Sequence, residues 1–334
     1  MFSMKYFLPI FLLLASLKSF ALPNFSALVL SLVQAPMGVD DREVVTTYSS
    51  TLRKIVRLVH RNGKSSGTCT AFSIGPHLIA TAAHCVEENL NCVRGRKLEG
   101  TVNFYTEVIA KKNGEAFIYK KSTSSVGVYV SDLYPIRKGQ CDNSPRDRTL
   151  FYPSQNFNKD HPLYRNLINL NSISTKHFRR GYHFRAYDWA LVITKDDLSK
   201  SIGTLRIDGE YSEADKEQGA MLAGFSTYQA KKSDSEQTRK SSKKDPKQNG
   251  LALTFDKNCG LTEFTHGNVI HDCYTHPGAS GSPLLINSET LPRVIGIHVA
   301  APAPDENHNQ ASSFSTFLDV YNDHVLPAIQ DALR

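Results

Sequence analysis

An all-β body, barrel or sandwich, closed by a C-terminal helix is the fold class this chain predicts. Short β-rich runs recur at Leu52–His60, Thr68–Ile74, His77–Thr81, Thr101–Ala110, Val126–Ser131 and Trp189–Thr194. Breakers such as Gly63-Lys64-Ser65-Ser66-Gly67 separate them, and many short strands with turn signals favour barrels or sandwiches. At the far end, Phe317, Val320, Tyr321, Ile329 and Leu333 recur at helical spacing behind Thr316 and Asp319, an acidic relative of a capping box. Pro327 is expected to kink or interrupt that helix.

The chain opens with a charged Lys5, an apolar stretch from Tyr6 to Leu17 and the small-residue site Ser19-Phe20-Ala21, which together read as a signal peptide over residues 1–21. The apolar stretch, about 12 residues, is too short to span a bilayer core of roughly 30 Å as a helix. A secreted or periplasmic protein with no stable membrane span after signal cleavage is expected. Residues 22–37 read as a pro-segment or N-terminal extension, and residues 38–334 as one folded domain. Between His84 and Asp188 lies a long interval holding Cys92, Cys141 and a polar, aromatic-rich stretch from Asp142 to Tyr187, read as surface insertions. Farther on, Gly219–Phe225, Leu251–Asp256, Asn268–Asp272, Pro283–Ile286 and Arg293–Ala300 supply further strands. The Lys/Ser-rich run from Ala230 to Gly250 is too polar to bury a core and reads as a loop.

The net charge of +7 falls to about +5 once Lys5 and Lys18 leave with the signal, and much of the excess sits between Lys231 and Lys247. The basic balance is therefore local, and no basic stripe interleaved with aromatics suggests a nucleic-acid partner. Six cysteines fit an oxidising compartment, and they allow 15 pairings. No Cys-x-x-Cys pair occurs, which argues against a zinc site at Cys85 and His84; neither metal nor cofactor is expected.

Three segments carry chemistry. Thr81-Ala82-Ala83-His84-Cys85 puts a histidine just after an apolar strand, Asp188 leads into Trp189-Ala190-Leu191-Val192, and Pro277-Gly278-Ala279-Ser280-Gly281-Ser282-Pro283 puts a serine in a tight small-residue turn. Acyl transfer needs such a set: a nucleophile, a base to deprotonate it and an acid to orient the base. Ser280 would attack, His84 would take its proton, and Asp188 would fix the imidazole. The backbone N–H groups of Gly278 and Ser280 would face the oxyanion. An α/β-hydrolase would need the order Ser, Asp, His, which this chain does not have.

These segments resemble those of trypsin-like (chymotrypsin-fold) serine proteases, and most of all the secreted bacterial glutamyl endopeptidases. Gly38-Val39-Asp40-Asp41-Arg42, followed by Val44-Val45-Thr46-Thr47, is similar to the start of the mature glutamyl enzymes. Gly67-Thr68-Cys69-Thr70-Ala71-Phe72 resembles their strand before the histidine, and Ile295-Gly296-Ile297-His298-Val299 their strand after the serine. The resemblance covers residues 38–334 in patches. It implies two six-stranded antiparallel β-barrels, the first over about 50–195 with insertions and the second over about 200–315. A C-terminal helix over about 316–333 would pack on the second. It also implies a monomeric endopeptidase acting on protein or peptide substrates, with a disulfide Cys69–Cys85. Cys259 and Cys273 flank a hairpin before the serine, where a bridge would brace the turn, leaving Cys92–Cys141 to staple the insertion. Ala279 stands where digestive relatives carry an aspartate, so their activating ion pair is absent. The resemblance puts Thr275 and His298 on the wall of the specificity pocket, where they could bind a carboxylate, His298 countering its charge if protonated. Val299, Ala300 and Ala301 would pair with an extended peptide. The alternative is a catalytically silent binding protein on the same scaffold.

Overall fold

The computed structural model describes residues 42–45, 49–62, 65–87, 102–112, 115–131, 148–153, 160–168, 172–174, 184–208, 211–227, 251–265, 267–286, 292–300, 309–313, 318 and 321–334, all within the unit Pro36–Arg334. The signal and pro-segments, Cys92, Cys141, Ala301 and the Lys-rich loop lie outside the described residues.

Eighteen strands are described, in chain order β1 (Glu43–Val44), β2 (Ile55–Asn62), β3 (Ser65–Gly75), β4 (Leu78–Thr81), β5 (Val102–Lys112), β6 (Glu115–Thr123), β7 (Ser125–Ser131), β8 (Arg148–Pro153), β9 (Ser172–Ser174), β10 (Ala190–Thr194), β11 (Arg206–Ile207), β12 (Ala220–Thr227), β13 (Leu251–Cys259), β14 (Leu261–Thr265), β15 (Asn268–His271), β16 (Pro283–Ile286), β17 (Arg293–Ala300) and β18 (Asn309–Ser313). They form two nine-stranded sheets. The first half runs β6-β5-β2-β3-β4-β10-β7-β8-β9, and the second β1-β13-β12-β16-β17-β18-β15-β14, with β11 beside β17. Among the described residues every pairing is antiparallel except β11 with β17. The all-β, chymotrypsin-like fold is as expected. Each half carries nine strands where six were expected. Two short strands in the long His84–Asp188 interval, β8 and β9, extend the first half, and the N-terminal β1 and the parallel β11 extend the second.

The centre of the first half follows from its sequence. β4 and β10 are apolar up to a terminal threonine and wholly buried, as strands covered on both faces are. Trp189, Tyr129, Phe72, Leu58, Leu78 and Ile79 are fully hidden there, each contributing about 1.5–3 kcal/mol by leaving water. Of the predicted C-terminal helix, Leu318 and residues 321–333 are helical among the described residues. A π-helical turn, Tyr321–Val325, leads into the helix Leu326–Leu333, so Pro327 lies in the first turn, where its missing N–H costs no hydrogen bond. The winding changes from π to α at Leu326, next to Pro327. The helix also docks elsewhere than expected: it packs against the helix Pro162–Ile168 of the first-half insertion, and Tyr321 Oη donates to Ile74 O (3.0 Å).

Candidate active site

His84 and Asp188 meet because of strand register. β10 runs antiparallel to β4 with Ala190 opposite Thr81, so the residues just before Ala190 and just after Thr81 leave the sheet at the same end. A short 3-10 turn, Phe184–Tyr187, carries the chain into Asp188. Both carboxylate oxygens are engaged: His84 N–H donates to Oδ1 (2.9 Å), and Nδ1 lies 2.8 Å from Oδ2. An ionised carboxylate only accepts, so Nδ1 carries the proton and the Nε2 lone pair is left as a base. Asp188 keeps 5% of its side-chain exposure and His84 27%, so the acid is enclosed while the imidazole still reaches the cleft.

Hydrogen bonds from both halves hold the turn around Ser280. Thr227 N–H donates to Pro277 O (3.1 Å), Ala279 N–H to His276 O (3.0 Å), and Ser282 N–H to Ala279 O (2.9 Å). Thr70, on β3 of the first half, spends every polar group on this junction. Its N–H donates to Ser280 O (2.8 Å) and its hydroxyl to Gly278 O (2.9 Å). That hydroxyl accepts from Phe225 N–H (2.8 Å), and Thr70 O accepts from Thr81 Oγ1 (2.7 Å). Glycine is required at 281. Its φ is +85°, and an added Cβ would stand 2.0 Å from Thr70 O and 2.3 Å from Thr81 Oγ1. Trans peptides oppose C=O and N–H. With the Pro277 and Ala279 carbonyls bonded inward, the N–H groups of Gly278 and Ser280 therefore face the other way, and neither has a partner among the described residues.

Two disulfides flank these segments. Cys69–Cys85 ties β3 to the residue after His84, and its Cys85 sulfur lies 3.7 Å from Ser280 O, which sets the serine segment beside the histidine segment. Cys259–Cys273 closes the hairpin ahead of the serine turn. The expected Cys92–Cys141 bridge falls outside the described residues. Ligand-type atoms of Cys69, His84 and Cys85 lie within 4.8 Å of one another, but the two sulfurs are bonded together and offer no thiolate to a metal.

The two residues expected on the pocket wall, His298 and Thr275, are each engaged with a neighbouring side chain. His298 is buried, and burial, followed by the nearby His84, pushes its pKa down to about 3, so its surroundings favour the neutral ring. Its Nδ1 lies 3.3 Å from His271 Nε2, with the rings edge to face. Thr275 donates its hydroxyl proton to Asn309 Oδ1 (3.2 Å), while Asn309 Nδ2 donates to Cys273 O (2.5 Å). Thr275 in this rotamer is therefore not a free donor. The sequence reading missed His271 and Asn309. They are cross-strand partners on β15 and β18, and β18 also pairs with β17, placing Ala311 opposite His298. Nothing in one sequence marks such a meeting; the only trace is a polar residue at a buried strand position. Val299 is buried and Ala300 half-buried; Ala301 lies outside the described residues.

This is the trypsin-like serine-protease fold. A solved Glu endopeptidase in complex with MPD superposes over 89% of this chain and 98% of its own, with a TM-score of 0.50 at 15% identity, a likeness of fold. The protease Anisep from Arthrobacter nicotinovorans (13% identity, 84% and 98% covered, TM-score 0.46) and the thermostable serine protease AL20 from an extremophilic microorganism (11% identity, 84% and 99% covered, TM-score 0.46) overlap more loosely. No family model and no curated protein matches the sequence.

Proposed function

We propose that the protein is a serine endopeptidase acting through His84, Asp188 and Ser280. The observation that carries this reading is the Asp188 carboxylate spanning both the backbone N–H and the Nδ1 of His84, which leaves Nε2 as the basic edge. Ser280 loses its proton to Nε2 as its Oγ attacks the scissile carbonyl. The N–H groups of Gly278 and Ser280 take the oxyanion. The protonated His84 then gives its proton to the leaving amine, and water repeats the sequence to release the acyl group. Substrate lies as an extended strand along Val299, Ala300 and Ala301.

The pocket takes an acidic side chain, glutamate ahead of aspartate, by hydrogen bonding from neutral groups. If His271 donates to His298 Nδ1, the opposite nitrogen of His298 carries a proton for the carboxylate. The chain is exported behind residues 1–21, loses residues 22–37, and works as a monomer in the periplasm or outside the cell, where its disulfides persist.

Two measurements on the purified protein decide the matter. A fluorophosphonate probe is expected to label Ser280, and a digested peptide library to show cuts after glutamate. Absence of labelling and of cleavage would leave the scaffold as a binding protein. Cleavage after lysine or arginine would reject the acidic pocket alone.

A further inference from the structure

The described chain begins with a buried cation. Arg42 is 4% exposed and enters the second half on β1, which pairs with β13 through Glu43–Phe255 and Val44–Thr254; the next residue, Val45, donates its N–H to Leu253 O (2.9 Å). Burying a guanidinium is costly unless its donors are used, so this placement calls for a structural reason. Nη1 donates to Ser226 Oγ (2.6 Å) and Nη2 to Thr227 O (3.2 Å), at the end of β12. The guanidinium also lies 5.0 Å from the Tyr274 ring centre, and Tyr274 in turn lies against His276. Both contacts lead to the serine turn. Thr227 N–H holds Pro277 O, and His276 O holds Ala279 N–H.

Building on the protease reading above, we propose that Arg42 is a positioning residue for the oxyanion hole, delivered by the segment Arg42–Val45 acting as an N-terminal strap. Arg42 pins the carbonyl side of Thr227, and Thr227 N–H pins Pro277 O. Because the Pro277–Gly278 peptide is trans, that contact aims Gly278 N–H away from β12. Without the guanidinium, the end of β12 and the Tyr274 ring lose their common anchor, and this peptide is free to rotate its N–H out of place. Ala279 and Gly281 flank Ser280, so no acid beside the nucleophile can serve as a latch for a cation. The strap enters on the opposite side, through β12. Processing of the N-terminus must then spare Arg42.

The test compares the wild type with Arg42→Ala and Arg42→Lys, with kcat expressed per fluorophosphonate-titrated site and folding followed by thermal midpoint. Loss of one oxyanion donor costs about 10²–10³ in kcat, which sets the upper bound; Arg42→Ala is expected to lose between about tenfold and a few hundredfold, with KM within about twofold. Affinity for a peptidyl aldehyde, whose adduct bears the oxyanion, should fall by the same factor, and methylguanidinium should restore part of the rate. Wild-type kcat per titrated site, a loss carried by KM, or a loss explained wholly by fewer titratable sites would overturn the role of Arg42. Should Arg42→Ala fail to fold, Arg42→Lys is read by the same criteria. A wild type that neither titrates nor cleaves peptides overturns the protease reading instead.

Discussion

The serine turn and the pocket wall lie close together yet are built on opposite plans. Backbone groups hold the turn: carbonyls at 277, 278, 279 and 280 each accept a bond, and one glycine stands where no side chain fits. Side chains that meet across strands hold the wall, His298 with His271 and Thr275 with Asn309. The first plan tolerates almost no substitution. The second sets chemistry by burial and can be retuned one residue at a time. On the proposed reading, the turn is therefore where loss of function should be steep, and the wall is where specificity should shift while the scaffold stays intact.

The contrast can be broken at its strongest point. Ser280→Ala should keep the thermal midpoint and lower kcat on the order of 10⁶-fold, as loss of a triad nucleophile does elsewhere; parental turnover in a folded variant would reject the nucleophile. Gly281→Ala should act on the fold itself. Its Cβ would overlap Thr70 O at a positive φ, and overpacking together with left-handed strain amounts to about 2–5 kcal/mol, measurable by denaturant titration. A neutral outcome would mean that the turn is looser than its hydrogen bonds imply.

The wall should give smaller, selective effects. His298→Ala is expected to cut the preference for glutamyl over glutaminyl peptides by roughly one to two decades, the worth of about 1.5–3 kcal/mol for a hydrogen bond to a charged group. Turnover of small apolar substrates should change little, and equal losses on both would make His298 structural only. The pH dependence acts on stability and not on turnover. The folded pKa of His298, about 3, lies below the ordinary 6.5, so the unfolded chain binds the proton first as pH falls. Stability from this group is complete above pH 6.5 and is lost toward pH 3, with a slope of at most about 1.4 kcal/mol per pH unit. Chemical denaturation of His298→Asn across that window should show a flatter profile than the parent.

What could be read from the sequence follows the same division. His84, Asp188 and the serine turn announce themselves because each depends on contiguous residues: a buried apolar strand on one side, small residues on the other. The Cys69–Cys85 bridge was anticipated through the family resemblance, and Cys259–Cys273 because its partners flank a hairpin before the serine. His271 and Asn309 were not, since their role exists only after β15, β18 and β17 align. The burial of His298 was not legible either, because its enclosure, which lowers its pKa, comes from distant strands. The C-terminal helix was found by its period, yet period does not name a partner, and it docks on the first half.

Thr70 leaves one more consequence, concerning the order of folding. It belongs to β3 of the first half, yet its amide and hydroxyl complete a turn formed by the second. Neither half alone can hold the serine in its working geometry. If Ser280 is the proposed nucleophile, a chain with one half formed and the other still loose carries an inert serine. On the proposed protease reading, hydrolysis begins only when the last docking step is finished, and the first appearance of activity is then a clock for the completion of folding.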